Sequence, residues 1–380
     1  MDFGFTEEHQ QLRKTIRAFT EAEMLPHVME WDESQVFPVD IFRKLGDLGV
    51  LGAVFPEDLG GSGYSYVDYS ILVEELAHVD PSIALSIAAH VSLCANHIYL
   101  AGNDDQRKQY IPGLAAGKTI GAWALTEPES GSDAGGTRTA AVRQGDGWVL
   151  NGSKTFITNA HIADVFVVMA MTDRAQASHG ISAIIVEKNT PGFRAGKKEN
   201  KLGMRCSPTG ELIFTDCRVP AANLIGKQGE GFIDSLRVLD GGRISIAALS
   251  VGVAQGAYEA SLKYSKQRKQ FGRSISEFQA IQNKLADMAT EIDAARLLTL
   301  RAAWMKDTGA GVNKESSMAK LYASEVAVRI ANEAVQIHGG YGFIKDYPVE
   351  KFYRDAKLCT IGEGTSEIQR LVIARQLLKS

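Results

Sequence analysis

The sequence has no strong excess of either charge: 41 lysines and arginines stand against 45 aspartates and glutamates, leaving −4 over 380 residues. That balance gives no global reason to expect a nucleic-acid partner. No apolar run approaches the ~20 residues needed to cross a bilayer, so no integral membrane segment is expected. The opening stretch, MDFGFTEEHQ, lacks the basic and apolar regions of a signal peptide and is too acidic for a transit peptide. It reads as the start of a cytoplasmic bacterial protein, or of a mature chain in the mitochondrial matrix. Cys94, Cys206, Cys217 and Cys359 form no C-x-x-C pair and no metal-like cluster, so the thiols read as reduced packing residues and no metal is expected. Neither G-x-G-x-x-G after a strand nor G-x-x-x-x-G-K-[ST] occurs, which excludes the standard dinucleotide and nucleotide loops. Finally, no Lys or Arg falls between Lys44 and Arg107.

What is present is an ordinary globular composition, 45% hydrophobic and 23% charged, in a chain long enough for two or three domains. Residues 1–120 read as helical. Thr6 is placed to cap a first helix through EEHQQLRKTIRAFTEAEM, which Pro26 should end. Residues 121–228 read as a β-domain: WVLNGSKTFITNA, DVFVVMAMT, GISAIIVEK and ELIFTDCRVP are short β-branched or aromatic runs between turn residues. Residues 229–380 return to helix. Phe278, Ile281, Leu285, Met288, Ile292 and Ala295 make one stripe at three- and four-residue spacing, as in a helical bundle.

Four segments carry polar chemistry. WALTEPESGSDAGG (123–136) offers amides and hydroxyls that could grip a polar ring or phosphate, or form a solvated turn. KQRKQFGR (266–273) sets Arg268 three residues from Phe271, suited to a phosphate and a stacked ring, or to a basic helix end. QIHGGYGF (336–343) presents paired glycines that could expose N–H groups to a pyrophosphate or simply end a helix. IGEGTSEIQ (361–369) places Glu363 between two glycines before a helix. There it is either a base with its own N–H free for a developing oxyanion, or a capping carboxylate beside Thr365 or Ser366.

Taken together, TEPESGSDAG, GSKTFITNA, KLGMRCSPTGELIFTDCRVP, RKQFG, QIHGGYGF and IGEGTSEIQR resemble, in order and spacing, the acyl-CoA dehydrogenases from end to end. The resemblance implies an α+β fold: an N-terminal helical domain, a β-barrel-like middle domain and a C-terminal four-helix bundle. It implies FAD-dependent α,β-dehydrogenation of an acyl-CoA, with electrons passed to an electron-transferring flavoprotein and a homotetramer built as a dimer of dimers. By family pattern Trp123, Leu125, Thr126, Gly131 and Ser132 bind the flavin, with Ser132 also near the CoA portion of the substrate. Phe156, Ile157 and Thr158 border its ring. Arg268, Phe271, Gln279, Gln336, Ile337, Gly339 and Gly340 contact FAD across a subunit interface. Thr365, Ser366 and Glu367 also touch FAD, Asp240, Arg243 and Gly364 lie along the acyl-CoA channel, and Glu363 falls at the catalytic base.

Two departures stand out: Phe156 where the family commonly has Trp, and Gly362 where a Tyr often precedes the base. The second leaves space for a branched or cyclic acyl group. Some branches carry the base just before the arginine matching Arg243, but here that residue is Gly242. The cation-free segment 45–106 argues for a neutral short or medium acyl chain over a dicarboxylic one. An acyl-CoA oxidase and a flavin-free scaffold are the competing readings.

Overall fold

The structure, a computed structural model, describes residues 4–379. Helices α1 (Glu7–Phe19), α2 (Val28–Ser34), α3 (Val39–Asp47), α4 (Tyr66–Val79), α5 (Pro81–Ala88), α6 (Asn96–Ala101) and α7 (Asp104–Ala115) come first. Strands β1 (Gly121–Ala124), β2 (Ala140–Gln144), β3 (Gly147–Ile157), β4 (Val165–Met171), β5 (Ile181–Glu187), β6 (Phe193–Lys198), β7 (Gly210–Pro220) and β8 (Leu224–Ile225) follow. The chain then runs through α8 (Gly231–Gln267), a small hairpin of β9 (Lys269–Gln270) and β10 (Arg273–Ser274), α9 (Gln279–Asp307), α10 (Asn313–His338), α11 (Val349–Cys359) and α12 (Ser366–Leu377). This is the expected α+β class, with the sheet between two helical parts.

Thr6 does cap α1, accepting from the His9 N–H at 3.2 Å. The α-helix ends earlier than expected, at Phe19. A π-turn (Thr20–Met24) and a 3₁₀ turn holding Pro26 complete the segment. The membrane expectation needs a correction: Pro81–Ala101 is long and apolar enough to span a bilayer by length and composition. It is a core element instead, because almost all of it is buried by α4, α8 and the sheet. A π-turn at Ala89–Ala95 interrupts it, the kind of irregularity that re-aims side chains at functional sites.

The sheet is mixed, in the order β6-β7-β3-β2-β4-β5-β8, with β1 added in parallel on β4. Val165–Met171, the β4 run, is buried along its whole length, as expected of a central strand covered on both faces. On the helical side α8 packs along α4 and α10. Its Gly252 and Gly256 let α4 approach so closely that a Cβ there would lie 2.3 Å from the Glu74 carbonyl oxygen or 2.5 Å from that of His78. The α9 stripe is buried at Leu285, Met288, Ile292 and Ala295, continues through Thr299 and Ala302, and thins to half-buried at Phe278 and Ile281.

Candidate active site

Between α11 and α12 the chain makes a tight turn. Thr365 caps α12, accepting from the Ile368 N–H at 3.4 Å, so Glu363 is not needed as the cap. Glu363 instead sits in the left-handed region (φ +53°), followed by Gly364 (φ +93°), a conformation non-glycine residues adopt rarely and at functional sites disproportionately. The turn is clamped. Gln369 Nε2 donates to the carbonyls of Glu363 (3.1 Å) and Gly364 (3.0 Å), and Lys320 Nζ donates to that of Gly364 (2.6 Å). The Glu363 N–H donates to no acceptor among the described residues.

Although the residue is half-buried, its carboxyl oxygen Oε2 is fully buried and has no hydrogen-bond partner. It lies against Gly242: a Cβ added there would meet Oε2 at 2.1 Å and Leu93 Cδ2 at 2.9 Å. The two positions that could carry a base therefore open on one space, and glycine at 242 is what leaves room for the carboxylate of 363. Burial pushes the Glu363 carboxyl up to about 7, with Lys320 and Arg243 pulling back. Arg243, buried on α8, donates to Asp240 at 2.9 Å, and Asn313 Nδ2 donates to the same carboxylate oxygen at 3.0 Å. Ala89, Leu93 and Val238 form a separate apolar cluster, with Trp123 and Leu239 packed on it. That cluster lies between Glu363 and the sheet, with Leu93 facing the first and Trp123 of β1 belonging to the second. Tyr69 Oη, Arg243 Nε, Glu363 Oε2, Ser366 Oγ and Gln369 Oε1 are all buried without partners, a concentration that marks a site finished by a ligand.

On the sheet side, Trp123 on β1 donates its indole N–H to His97 Nδ1 at 3.0 Å, and burial holds that imidazole down at about 3, hence neutral. The following loop is braced by a buried ion pair. Lys154 Nζ donates to Glu127 Oε1 (2.7 Å) and the Leu125 carbonyl (2.9 Å), while Glu127 accepts from the N–H groups of Arg138 and Thr139. Thr126 is tied to β3 through the Thr155 N–H at 2.9 Å. Gly131 and Ser132 are exposed at the loop tip. On β3 a bulge between Lys154 and Ile157 turns Phe156 outward with φ +58°, 65% exposed. Thr158 is half-exposed, but the Ile157 side chain is in the core, which leaves only its backbone for a ligand.

The third group is not brought to Glu363. Arg268 ends α8, about 37 Å from Arg243 at the helical rise of 1.5 Å per residue. There Arg268, Ile337, Gly339 and Gly340 line a groove of about 530 Å³ with Tyr264, Gln270 and Tyr341, and the Arg268 guanidinium lies 5.1 Å from the Tyr341 ring centre. Phe271 and Gly272 form the two-residue tip of the β9–β10 hairpin, both with positive φ, and Phe271 is 93% exposed. A two-residue hairpin of this kind prefers Asn-Gly, so an aromatic there is held against local preference. Gln279 and Gln336 are exposed nearby. A Cβ at Gly131, Gly339 or Gly340 would meet nothing within 4 Å, so these amides border open space suited to a large polar ligand.

Sequence reasoning missed Lys320, Tyr69, Gln369, Leu93 and the Lys154–Glu127 pair. Only Lys320 left a signal: it interrupts the stripe of small residues Ser316, Ser317, Ala319, Ala323 and Ser324 that α10 buries.

Glu363 thus presents a buried, partnerless carboxyl oxygen beside an apolar wall, with its own N–H unused. Similarity to known proteins shows the family. Family models for the acyl-CoA dehydrogenase N-terminal, middle and C-terminal domains match residues 6–118, 122–217 and 229–378. The chain is 46% identical to a short-chain specific acyl-CoA dehydrogenase of Clostridium acetobutylicum, covering all of both chains. It superimposes on butyryl-CoA dehydrogenase from Megasphaera elsdenii with a TM-score of 0.98 at 44% identity, again over 100% of both chains. A chain from a structure described as the electron transferring flavoprotein of Acidaminococcus fermentans matches with a TM-score of 0.99 at 48% identity and full coverage of both. The chain belongs to the acyl-CoA dehydrogenase family, and so is a flavin-dependent oxidoreductase.

Proposed function

We propose that this chain oxidises a short-chain acyl-CoA, butyryl-like in size, to the trans-2-enoyl-CoA, with Glu363 as the base that removes the α-proton. The observation that carries the reading is the Glu363 carboxylate, partnerless and buried against Gly242 and Leu93, with its own N–H unused. That N–H is free to donate to the thioester carbonyl, and the bond strengthens as charge grows on the oxygen, which acidifies the α-C–H. When bound, FAD supplies the acceptor for the hydride leaving Cβ. The residues suit that cofactor: the 123–132 loop and Phe156–Thr158 would hold its ring, and Thr365–Glu367 would approach it from the base turn. The Arg268–Phe271, Gln279 and 336–340 groups stand too far along α8 to reach the same molecule, so a second copy would supply them. A second copy is in keeping with the proposed homotetramer of paired dimers, and the proposed domains are 1–120, 121–228 and 229–380. An electron-transferring flavoprotein is the proposed electron acceptor, and the bacterial cytoplasm, or the mitochondrial matrix, the proposed compartment.

The apolar wall of Ala89, Leu93, Val238 and Leu239 suits a neutral acyl chain. In anaerobic bleaching of the bound flavin by butyryl-, octanoyl-, isovaleryl-, cyclohexanecarbonyl- and glutaryl-CoA, the butyryl thioester is expected to react fastest. Bleaching by glutaryl-CoA alone would overturn the neutral-chain reading. A second reading, a branched or cyclic substrate, is favoured by one observation. The nearest atoms a Cβ at Gly362 would meet belong to Leu358, at an ordinary 3.6–3.8 Å, so the turn beside the base has room for a side chain. Gly362→Tyr is expected to lower the isovaleryl rate relative to the butyryl rate by about tenfold or more. An unchanged ratio would show that this opening does not face the acyl group.

Phe271→Ala tests the shared cofactor site. Loss of a stacked aromatic is expected to weaken FAD retention by about tenfold or more, read as flavin remaining after gel filtration. Unchanged retention would mean that the hairpin tip does not touch the cofactor.

A further inference from the structure

Lys320 is fully buried, and its ammonium makes one hydrogen bond, to the Gly364 carbonyl, with no carboxylate at ion-pairing distance among the described residues. An ammonium taken from water with only a carbonyl for company is unfavourable unless a charge nearby compensates it. The clamp on the turn does not require it, because Gln369, a neutral amide, already holds both the Glu363 and Gly364 carbonyls. What lysine adds over another amide is charge, directed at the residue next to its hydrogen-bond partner.

We propose that Lys320 is a positioning residue for the base. Its hydrogen bond to the Gly364 carbonyl sets the ammonium beside Glu363, and its charge keeps that carboxyl group ionised once substrate excludes water. The proposal rests on the reading of Glu363 as base. Of the other groups around Glu363, Arg243 on α8 also draws its carboxyl down, but that guanidinium is matched by Asp240 at 2.9 Å. From α4 the Tyr69 hydroxyl, pushed up by burial, is neutral, and so is the Cys359 thiol at the end of α11, raised to about 11. Glu367 on α12 is exposed to solvent. Lys320 is left as the unmatched cation. Burial lowers its ammonium to about 8, with Glu363 among the charges opposing that fall.

The test titrates Glu363 directly by infrared difference spectroscopy of its carboxyl band. Glu363→Gln serves for subtraction, and wild type is compared with Lys320→Met, Lys320→Gln and Lys320→Arg, each first shown to keep wild-type helical content. In both neutral variants the midpoint is expected to rise by about one pH unit, and butyryl-CoA bleaching below the wild-type midpoint to fall about tenfold and recover at higher pH. Lys320→Arg is expected to restore the midpoint. An unmoved midpoint in either folded neutral variant, with Glu363→Gln inactive, overturns the role of Lys320 alone. Bleaching that survives in Glu363→Gln removes the base itself, and the proposal with it.

Discussion

Glu363→Gln is expected to slow flavin bleaching by the best acyl-CoA by about 10²–10⁴-fold while leaving flavin content and fold unchanged. The amide fills the same space against Gly242 and Leu93 and leaves the Glu363 N–H and the Gln369 and Lys320 clamps in place. Substrate should therefore still bind, and the loss should fall on the chemical step rather than on affinity. Stopped-flow bleaching at saturating acyl-CoA separates the two, since a variant that merely binds poorly recovers its rate as concentration rises. The wild-type rate carries a second signature. Burial raises the Glu363 carboxyl to about 7, and a base works only when ionised, so bleaching in the free protein should rise with pH through that region. Below it the rate is expected to fall about tenfold per pH unit. A flat profile there, with activity retained in the variant, would assign the proton transfer to another group.

Lys351→Met is expected to destabilise the protein by about 3–5 kcal/mol, the largest effect on folding of any single change considered. The Lys351 ammonium, 2% exposed, donates to Asp80 at 3.1 Å and Asp355 at 2.6 Å, both fully buried. Burial works against the ammonium, but Asp355 and Asp80 outweigh it and hold it charged. Asp80 also accepts from the Ser82 N–H at the start of α5, and Asp355 from the Met204 N–H at 2.5 Å. One cation thus joins the start of α5 to α11, and Asp355 ties in the segment between β6 and β7. Methionine fills the volume but leaves two buried carboxylates without a counter-charge. Urea unfolding of wild type and variant, followed by far-ultraviolet circular dichroism, checks this, and a shift below 1 kcal/mol would mean that the carboxylates take up protons or water at little cost.

The Lys351 cluster also shows where sequence reading stops. Asp80, Met204 and Lys351 are far apart in sequence, and no local pattern links them. Lys154 and Glu127 likewise lie in a strand and a loop that no local pattern links, yet they form a buried brace beneath the Trp123–Ser132 loop. The π-turn that presents Ala89 and Leu93 left no periodic signal, because one extra residue in a uniformly apolar stretch changes nothing that hydrophobic pattern records. Conversely, the β-runs, the α9 stripe and the Thr6 cap were legible because each depends on neighbours within a few residues. The motif order was enough to name the family before any coordinates.

The sequence by itself determined the helix–sheet–helix order, the family and the identity of the carboxylate between two glycines. Each is written in local propensity or in contiguous motifs. Only the tertiary structure decided that Glu363 faces Gly242 with an unpartnered oxygen, that Lys320 stands behind it, and that Arg268 and Phe271 lie about 37 Å along α8 from Arg243. Burial, and with it the electrostatics of a carboxylate, is a property of what packs around a residue, and the groups that pack around Glu363 come from α4, the π-turn Ala89–Ala95, α8, α10 and α12, which only folding brings together.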